Sequence, residues 1–353
     1  MNVLEVTNRQ KNLALGIAIN YNYGDIAMRI LVVAWLIFQG YTYTLMSSRP
    51  IELFAPIHWF DKLFMPTFPN PILWYSLLGL AFINNLLLLK NGSLKYPRIL
   101  LGLLVLWINC IRWKYEFFSH VGHVMVLYHL LGMFVTRKNK ISSEDPELLD
   151  FSKTIQWLYA GVLIGYTFSG LWKLAGLVYK FFWHPEQINW LHPMAMKLNS
   201  IVGFRDWDLS LAPVEYTYRF LVVWQIAFII MLILQVVSVL GAYRPQITLY
   251  IALGNICFHV INSLIIHIEF YLTPLVLLAV FFPYHLFLNK ERYISFKAEK
   301  TRGKYTRHYI DGSKDVFLGF DAWREYNYDR NPLVYGLFYF PGLSTFFSKF
   351  DRK

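Results

Sequence analysis

One lysine in this sequence lies where an ammonium group is costly. Lys173 belongs to the stretch Tyr166–Leu174, inside an apolar run that extends from about Ile155 to Trp183. That run is longer than the roughly 20 residues that cross a bilayer. An ionisable side chain inside such a segment is by default a functional-site hypothesis, and it needs a polar partner. The sequence must therefore supply partners for Lys173 on other helices.

Two further apolar segments carry polar side chains that a purely structural bundle does not need. With the neighbours of Lys173 on its own helix, the candidates are His120, His123, Tyr166, Ser169, Asn255, His259, Asn262 and Ser263. His120 and His123 are three residues apart and share a helix face, as do His259 and Asn262. Imidazole, amide and hydroxyl groups donate and accept hydrogen bonds, so these residues can bind a ligand or move a proton.

Each of these residues also has an ordinary structural interpretation. Lys173 alone could extend its ammonium group to the membrane interface. A single intramembrane histidine or asparagine is more often an interhelical hydrogen-bonding group than a catalyst. Arg29 and Arg112 lie near the ends of their apolar runs and are interpreted as interfacial anchors. The combination of Lys173, His123 and His259 nevertheless favours one shared pocket.

The composition sets the class of protein. Of the 353 residues, 56% are hydrophobic and 18% aromatic, and the mean hydropathy is +0.38. These values exceed those of an ordinary soluble domain. The net charge of +11 comes from basic residues in the short segments between apolar runs, so it indicates membrane topology and not nucleic-acid binding. The expected partner is the lipid bilayer.

Eight apolar segments predict an all-α integral membrane protein, a polytopic bundle of about eight transmembrane helices. The segments are 26–46, 72–89, 99–111, 117–135, 155–182, 218–241, 247–266 and 271–288. The basic loops all fall on one side, so both termini are predicted to be cytoplasmic. Residues 1–22 are then a cytoplasmic leader, residues 23–288 the membrane domain and residues 289–353 a short basic cytoplasmic tail.

This topology predicts that the three candidate catalytic residues lie at a similar depth. His123 falls near the outer end of the fourth segment, Lys173 near the outer end of the fifth, and His259 in the outer half of the seventh. At 1.5 Å per residue, the three differ in depth by roughly 10 Å or less. A single pocket in the outer half of the membrane can hold them all.

Three short motifs carry a resemblance to a known family. Phe258-His259-Val-Ile-Asn262-Ser263 is similar to the Phe-His-x-x-Asn-Ser segment of the vitamin K-dependent gamma-carboxylases. Gly170-Leu-Trp-Lys173-Leu174 resembles their Gly-x-x-Lys-Leu helix, and His123 stands where they have an Asn-Asn-His segment. Their order along the chain also agrees. Residues 23–288 therefore resemble the horizontally transferred transmembrane (HTTM) domain of these carboxylases and many bacterial membrane proteins.

The resemblance implies a chemistry and a cofactor. The cofactor would be a reduced quinone, vitamin K hydroquinone or menaquinol, and no metal ion is expected. Lys173 would be the base toward the hydroquinone, because desolvation disfavours an ammonium group relative to the free amine. His123 and His259 would orient the ring or stabilise developing negative charge. His120, Tyr166, Ser169, Asn262 and Ser263 would contact the substrate, and the bacterial inner membrane is the implied location.

The sequence departs from the carboxylases in two places. Val121-Gly122 replaces their asparagine pair, and a short tail replaces their large extramembrane domain. These differences favour quinol oxidation, epoxidation or another proton abstraction over glutamate carboxylation. Segments 309–312 and 319–323 are similar to the later part of the thioredoxin-like DCC-type domains often fused to this membrane domain, without their Cys-x-x-Cys pair. A plain amphipathic tail is the alternative.

Two other functions are compatible with the sequence. One is a non-enzymatic membrane protein for the maturation, export or immunity of a secreted peptide, so that the ligand is a peptide and not a lipid-soluble quinone. The other is a histidine-rich metal enzyme of the desaturase kind. It is disfavoured because His120 and His123 form the one His-x-x-His pair in the chain.

Overall fold

The structure is a computed structural model in which most of the chain is described. The described residues are 8–50, 52, 70–113, 120–135, 137–138, 141, 145–206, 210, 215, 219–266, 272–288, 299–301, 304–308 and 314–350.

The described part of the predicted membrane domain is built from helices and their connections. The helices are α1 (Asn8–Ser47), α2 (Pro71–Lys90), α3 (Lys95–Trp113), α4 (His120–Leu131), α5 (Leu148–Trp183), α6 (Ala195–Asp206), α7 (Leu221–Val237), α8 (Leu240–Tyr243), α9 (Pro245–Ile261), α10 (Thr273–Phe281) and α11 (Tyr284–Leu288). A 3-10 turn, Gly132–Phe134, follows α4, and a π-helical segment, Asn262–Ile266, continues α9. Helices α2 and α9 both start with proline, whose fixed φ and missing N–H suit a first helical position.

Four of these helices are long and apolar enough to cross a membrane. They are Gln10–Ser47, Pro71–Lys90, Leu148–Trp183 and Pro245–Ile265. Large apolar side chains on them point outward, and Trp172 on α5 is 81% exposed. Such exposure is normal toward lipid and unusual toward water. The chain is therefore an integral membrane protein, as its composition predicts.

The sequence predicts eight spans, whereas four helices of the described structure are long and apolar enough to be candidate spans. The fourth and sixth predicted spans coincide with shorter apolar helices, Gly122–Phe134 and Leu221–Val237. The third falls within α3, which carries basic residues at both ends, and the eighth is divided between α10 and α11. Four candidate spans are supported by length and hydropathy, and the other four remain a prediction.

Contacts between helices distinguish the two ends of the bundle. At one end, the Trp74 indole of α2 lies beside Tyr43 of α1 and donates to the Gln39 carbonyl at 3.3 Å. At the other, the Arg137 N–H donates to the Gly92 carbonyl at 3.1 Å. We call the first the loop end, because residues 47–71 and 183–195 connect helices there. The second is the tail end, since the C-terminal residues pack near it.

A cluster of buried charges joins three helices in the tail-end half of the bundle. Asp25 of α1 accepts two hydrogen bonds from Arg98 of α3, at 2.9 and 3.1 Å, and one from Arg29 at 3.2 Å. The Tyr128 hydroxyl of α4 donates to the same carboxylate at 3.1 Å. Asp25, Arg29 and Arg98 are all 0% exposed. Cations and a hydroxyl surround the carboxylate in this apolar interior, and this arrangement stabilises its charged form.

The positive charge of this cluster is balanced partly by the end of a helix. Arg98 donates to the Gly92 carbonyl at 3.2 Å, and Arg137 donates to the Leu89 carbonyl at 3.0 Å. Both carbonyls lie where α2 ends, at the negative pole of its dipole. Arg29 takes part in the buried cluster, so its interpretation as an interfacial anchor is wrong. Arg112 is buried at the far end of α3.

The described part of the predicted tail, residues 289–353, forms a small sheet and helices; segment 319–323 begins the first helix after the sheet, and segment 309–312 lies outside the described residues. The antiparallel sheet has the order β1 (Glu299–Thr301), β2 (Lys304–His308) and β3 (Lys314–Leu318), with Tyr305 paired with Phe317. It is followed by α12 (Gly319–Arg330), α13 (Pro332–Tyr335), a 3-10 turn (Gly336–Tyr339) and α14 (Pro341–Phe350). Gly319 has φ 55°, which glycine adopts most easily. Buried Arg307 of β2 binds Asp329 of α12 at 2.6 Å and fixes the helix on the sheet.

We expect Asp25→Asn to destabilise the bundle strongly. The substitution leaves the guanidinium groups of Arg29 and Arg98 buried without a carboxylate, and breaking a buried pair in this way costs about 3–5 kcal/mol. The matched control is Asp150→Asn, because the ion pair of Asp150 with Lys153 is largely exposed. The free energy of unfolding in mixed micelles measures both. Equal effects of the two substitutions would contradict the assigned role of the cluster.

Candidate functional site

One face of α5 presents the polar residues that include Lys173. Tyr166, Ser169 and Lys173 are spaced three and four residues apart, so they lie on one side of the helix. The Lys173 Nζ donates to the Ser169 Oγ at 3.1 Å. Lys173 lies 22 residues beyond Phe151, whose ring contacts Tyr21 near the tail end. At 1.5 Å per residue this is about 33 Å along the helix, in the loop-end half of the bundle.

The second partner of Lys173 is an amide on α7. The Gln235 Oε1 accepts a hydrogen bond from the Lys173 Nζ at 2.7 Å, and Gln235 is only 2% exposed. A hydrogen bond between helices is the expected way to satisfy a buried amide and a buried amine together. Lys173 is therefore partly buried and held in a defined position between α5 and α7.

Gly170 allows α5 and α7 to come close enough for this hydrogen bond. A Cβ atom at position 170 would lie 2.7 Å from the Val236 backbone nitrogen and 2.9 Å from the Gln235 Cβ. Both distances are shorter than carbon contacts in proteins, and the first involves backbone that cannot rotate away. The absence of a side chain at Gly170 thus permits the close approach of the helices. Gly170 and Lys173 belong to the same motif for this physical reason.

Aromatic rings complete the surroundings of the amine. The Lys173 Nζ lies 5.2 Å from the centre of the Trp190 ring and 5.6 Å from that of Phe258. These distances are within the range of cation–π attraction. Trp190 comes from the connection between α5 and α6, and Phe258 comes from α9. With Ser169 of α5 and Gln235 of α7, side chains from four separate parts of the chain therefore surround one nitrogen.

Hydrogen bonds and a ring contact hold the connection between α5 and α6 over the amine. The Gln225 Nε2 of α7 donates to the Leu191 carbonyl at 2.5 Å, and the Lys180 Nζ donates to the Ile188 carbonyl at 2.9 Å. The Trp190 ring meets the Phe228 ring edge to face at 5.4 Å. The two glutamines of α7 thus have related roles: Gln225 holds the covering segment and Gln235 holds the lysine.

A cleft with mainly apolar walls adjoins Lys173. It is shallow: the enclosed space is about 10 Å³, room for about one water-sized group, so a larger ligand must displace part of the wall. The lining residues are Lys173, Trp190, Leu191, Phe228, Met231, Leu232, Gln235 and Phe258. A few polar groups in an otherwise apolar and aromatic wall are typical of sites for small organic ligands.

A second hydrogen-bonded pair lies beside the first. The Tyr166 hydroxyl is 2.8 Å from the His259 Nε2, and His259 is 4% exposed. The Ser263 hydroxyl donates to the His259 carbonyl at 3.0 Å, as does the N–H of buried Asn262. The π-helical segment that starts at Asn262 follows directly, and such segments occur often at functional sites.

The structure brings most, but not all, of the predicted site residues together. Lys173 and Ser169 form one hydrogen-bonded pair, and Tyr166 and His259 form another. The two pairs are linked through α9, because the Phe258 ring lies near the Lys173 Nζ and Phe258 precedes His259 in the sequence. His123 is exposed on α4, and the hydrogen bonds of Lys173 go to Ser169 and Gln235 instead. The His120 side chain lies outside the described residues. The inclusion of these two histidines in the site stays a prediction.

The sequence prediction missed the residues that surround Lys173 from other helices. Gln235, Trp190 and Phe228 were not among the candidates. Gln225 and Gln235 are the polar side chains of α7, which is otherwise apolar apart from the indole of Trp224. Their amides were the available signal, because a polar group inside an apolar helix needs a partner.

These features define a class of protein. The chain is a helical integral membrane protein with a partly buried lysine at the wall of an apolar cleft in the loop-end half of its bundle. Comparisons with protein-family models, with curated proteins and with solved structures found no match. The function is therefore inferred from the site.

We expect Gly170→Ala to separate α5 from α7 and weaken the Lys173–Gln235 hydrogen bond. Overpacking a tight contact of this kind typically costs about 1–3 kcal/mol. The matched control is Gly165→Ala on the same helix, because a Cβ atom at position 165 has open space around it. Unfolding in mixed micelles compares the two variants. If both substitutions have the same effect, the close approach at Gly170 is not needed.

Proposed function

We propose that this protein is a membrane enzyme in which Lys173 removes a proton from a lipid-soluble acid, a reduced quinone. The observation that carries the proposal is the Lys173 Nζ held between Ser169 and Gln235 at the wall of an apolar cleft. The resemblance to HTTM and gamma-carboxylase motifs supports the same assignment. Both supports meet in the segment Gly170–Leu174.

The hydrogen bonds of Lys173 suit a neutral amine. A free amine has two N–H donors and one lone pair, whereas an ammonium group has three donors. Ser169 and Gln235 supply two acceptors. In the neutral form these acceptors use both donors and leave the lone pair available to a ligand in the cleft. The amine is thereby positioned as a base before the substrate arrives.

The surroundings also suit the product of the proton transfer. When a quinol hydroxyl gives its proton to the Lys173 Nζ, a quinolate and an ammonium group form, and the O–H bond is replaced by an N–H bond. The Trp190 and Phe258 rings can stabilise the new cation. The Tyr166–His259 pair is not part of the cleft lining and is given no role in this step. Oxidation of the quinolate requires dioxygen as the co-reactant.

The proposal includes the topology that the basic loops predict. The tail end carries Lys90, Lys138, Lys153 and Arg244, so we assign it to the cytoplasm. Lys173 and the cleft then lie in the outer half of the membrane. We propose that the chain resides in a bacterial inner membrane, with both termini in the cytoplasm.

The test is oxidation of menaquinol by purified protein in nanodiscs under air. We expect Lys173→Met to lower the rate by about 10²–10⁴-fold, the usual contribution of a general base. Lys173→Arg should be as inactive, because a guanidinium keeps the charge but does not accept a proton. Lys153→Met on the exposed part of α5 should leave the rate unchanged.

Two results would contradict the proposal. An active Lys173→Arg variant would mean that the site needs a cation and not a base. An unchanged rate in Lys173→Met, with the variant folded as judged by its unfolding midpoint, would exclude Lys173 from the reaction. Binding of menaquinone, followed by quenching of tryptophan fluorescence, should persist in Lys173→Met because the apolar walls of the cleft remain.

A further inference from the structure

The C-terminal unit lies against the start of a membrane span. The Tyr250 hydroxyl of α9 donates to the Leu333 carbonyl of α13. Arg244, next to the first residue of α9, donates to the Tyr339 carbonyl at 3.3 Å. The candidate span begins at Pro245. The segment from α13 to the following 3-10 turn is thus fixed at the level where a helix enters the membrane.

This contact is close enough to fix the orientation of the segment. A Cβ atom at Gly336 would lie 2.7 Å from the Gln246 carbonyl oxygen, so the backbone of the 3-10 turn lies directly on the first turn of α9. The Phe340 ring also contacts the Tyr250 ring, with centres 6.3 Å apart. The C-terminal unit is therefore packed against the membrane domain.

Large apolar side chains of this attached segment remain exposed. Val334 is 54% exposed, and Leu333, Leu337, Leu343 and Phe346 are exposed as well. They belong to α13, the 3-10 turn and α14. Phe347 is 37% exposed as well, although one side of its ring contacts Phe338, with ring centres 5.3 Å apart. These exposed apolar side chains therefore belong to the segment that contacts the first turns of α9, where the candidate span begins.

The charges that follow this segment in the sequence favour one kind of partner. The sequence after Phe347 contains Lys349, Arg352 and Lys353 against the single carboxylate of Asp351. Apolar side chains next to basic residues are typical of segments that lie in the interface of a membrane with anionic lipids. Arg244 adds a further cation at the same level.

We infer that α13, the 3-10 turn and α14 form an interfacial anchor, whose exposed apolar side chains insert among the headgroups of the membrane that the protein spans. The partner is an anionic phospholipid surface. The anchor holds the small sheet and α12 against the membrane face, at the tail end of α9. It does not depend on Lys173 or on any reaction at the cleft.

The test measures the depth of spin labels in the full-length protein. A nitroxide is attached to Val334→Cys or Leu343→Cys in a background with Cys110→Ala and Cys257→Ala, in nanodiscs of phosphatidylcholine and phosphatidylglycerol. We expect both labels to collide more with oxygen, which partitions into lipid, than with a water-soluble nickel complex. The control label at Lys314→Cys on exposed β3 should show the reverse preference.

Two outcomes would overturn the inference. Labels at positions 334 and 343 that prefer the nickel complex, as at position 314, would show that the surface faces water. Unchanged depth in nanodiscs of phosphatidylcholine alone would remove the anionic lipid from the proposal. As a label-free check, Val334→Glu with Leu343→Glu should speed amide hydrogen exchange in residues 332–350, whereas Lys314→Glu should not. Equal exchange in both variants would also overturn it.

Discussion

The pairing of Asp25 in the tail-end half of the bundle is the constraint on which the arrangement of the first four helices depends. An ionised carboxylate in an apolar interior is tolerated only when its oxygens are saturated by donors. Arg98 provides a two-point contact, Arg29 approaches from the next turn of α1, and Tyr128 reaches the same carboxylate from α4. The helices cannot slide or rotate independently without exposing one of these groups to hydrocarbon. The register of α1, α3 and α4 is thus set by charge and not by apolar packing alone.

The guanidinium groups of Arg29 and Arg98 carry more positive charge than the single carboxylate of Asp25 neutralises. Carbonyl groups at the end of α2 help the bundle to accommodate the excess. Carbonyl groups in the last turn of a helix have no partner within the helix. The Leu89 carbonyl lies in the last turn of α2 and accepts from the Arg137 side chain, while the Gly92 carbonyl, two residues past the helix, accepts from the Arg98 side chain and from the Arg137 backbone N–H. Positive charge and unpaired carbonyls compensate each other. The fixed end of α2 then helps to hold the loop between α2 and α3.

The site around Lys173 is built on a different principle. Its helices are held by the close contact at Gly170 and by neutral hydrogen bonds, with no carboxylate near the amine among its hydrogen-bond partners. A carboxylate would keep the lysine charged, whereas the amide of Gln235 and the hydroxyl of Ser169 accept from either protonation state. The bundle therefore separates a charged scaffold in its tail-end half from the Lys173 cleft in its loop-end half.

The sequence allowed part of this to be predicted, for reasons that differ from residue to residue. Lys173 was identified because a lysine is conspicuous in an apolar run, and helical spacing then related it to Tyr166 and Ser169. Asp25 was missed because it stands at the edge of the first apolar segment, where a charge is ordinary, while α1 continues back to Asn8. The strands β1 to β3 are three to five residues long, too short for an alternating pattern to be recognised. Gln235 shows what the sequence alone does not give, which is the partner of a polar side chain. Its amide stands out in an apolar helix. Only the close approach of α7 to α5 at Gly170 decides that this amide contacts Lys173 and not a backbone carbonyl of its own helix.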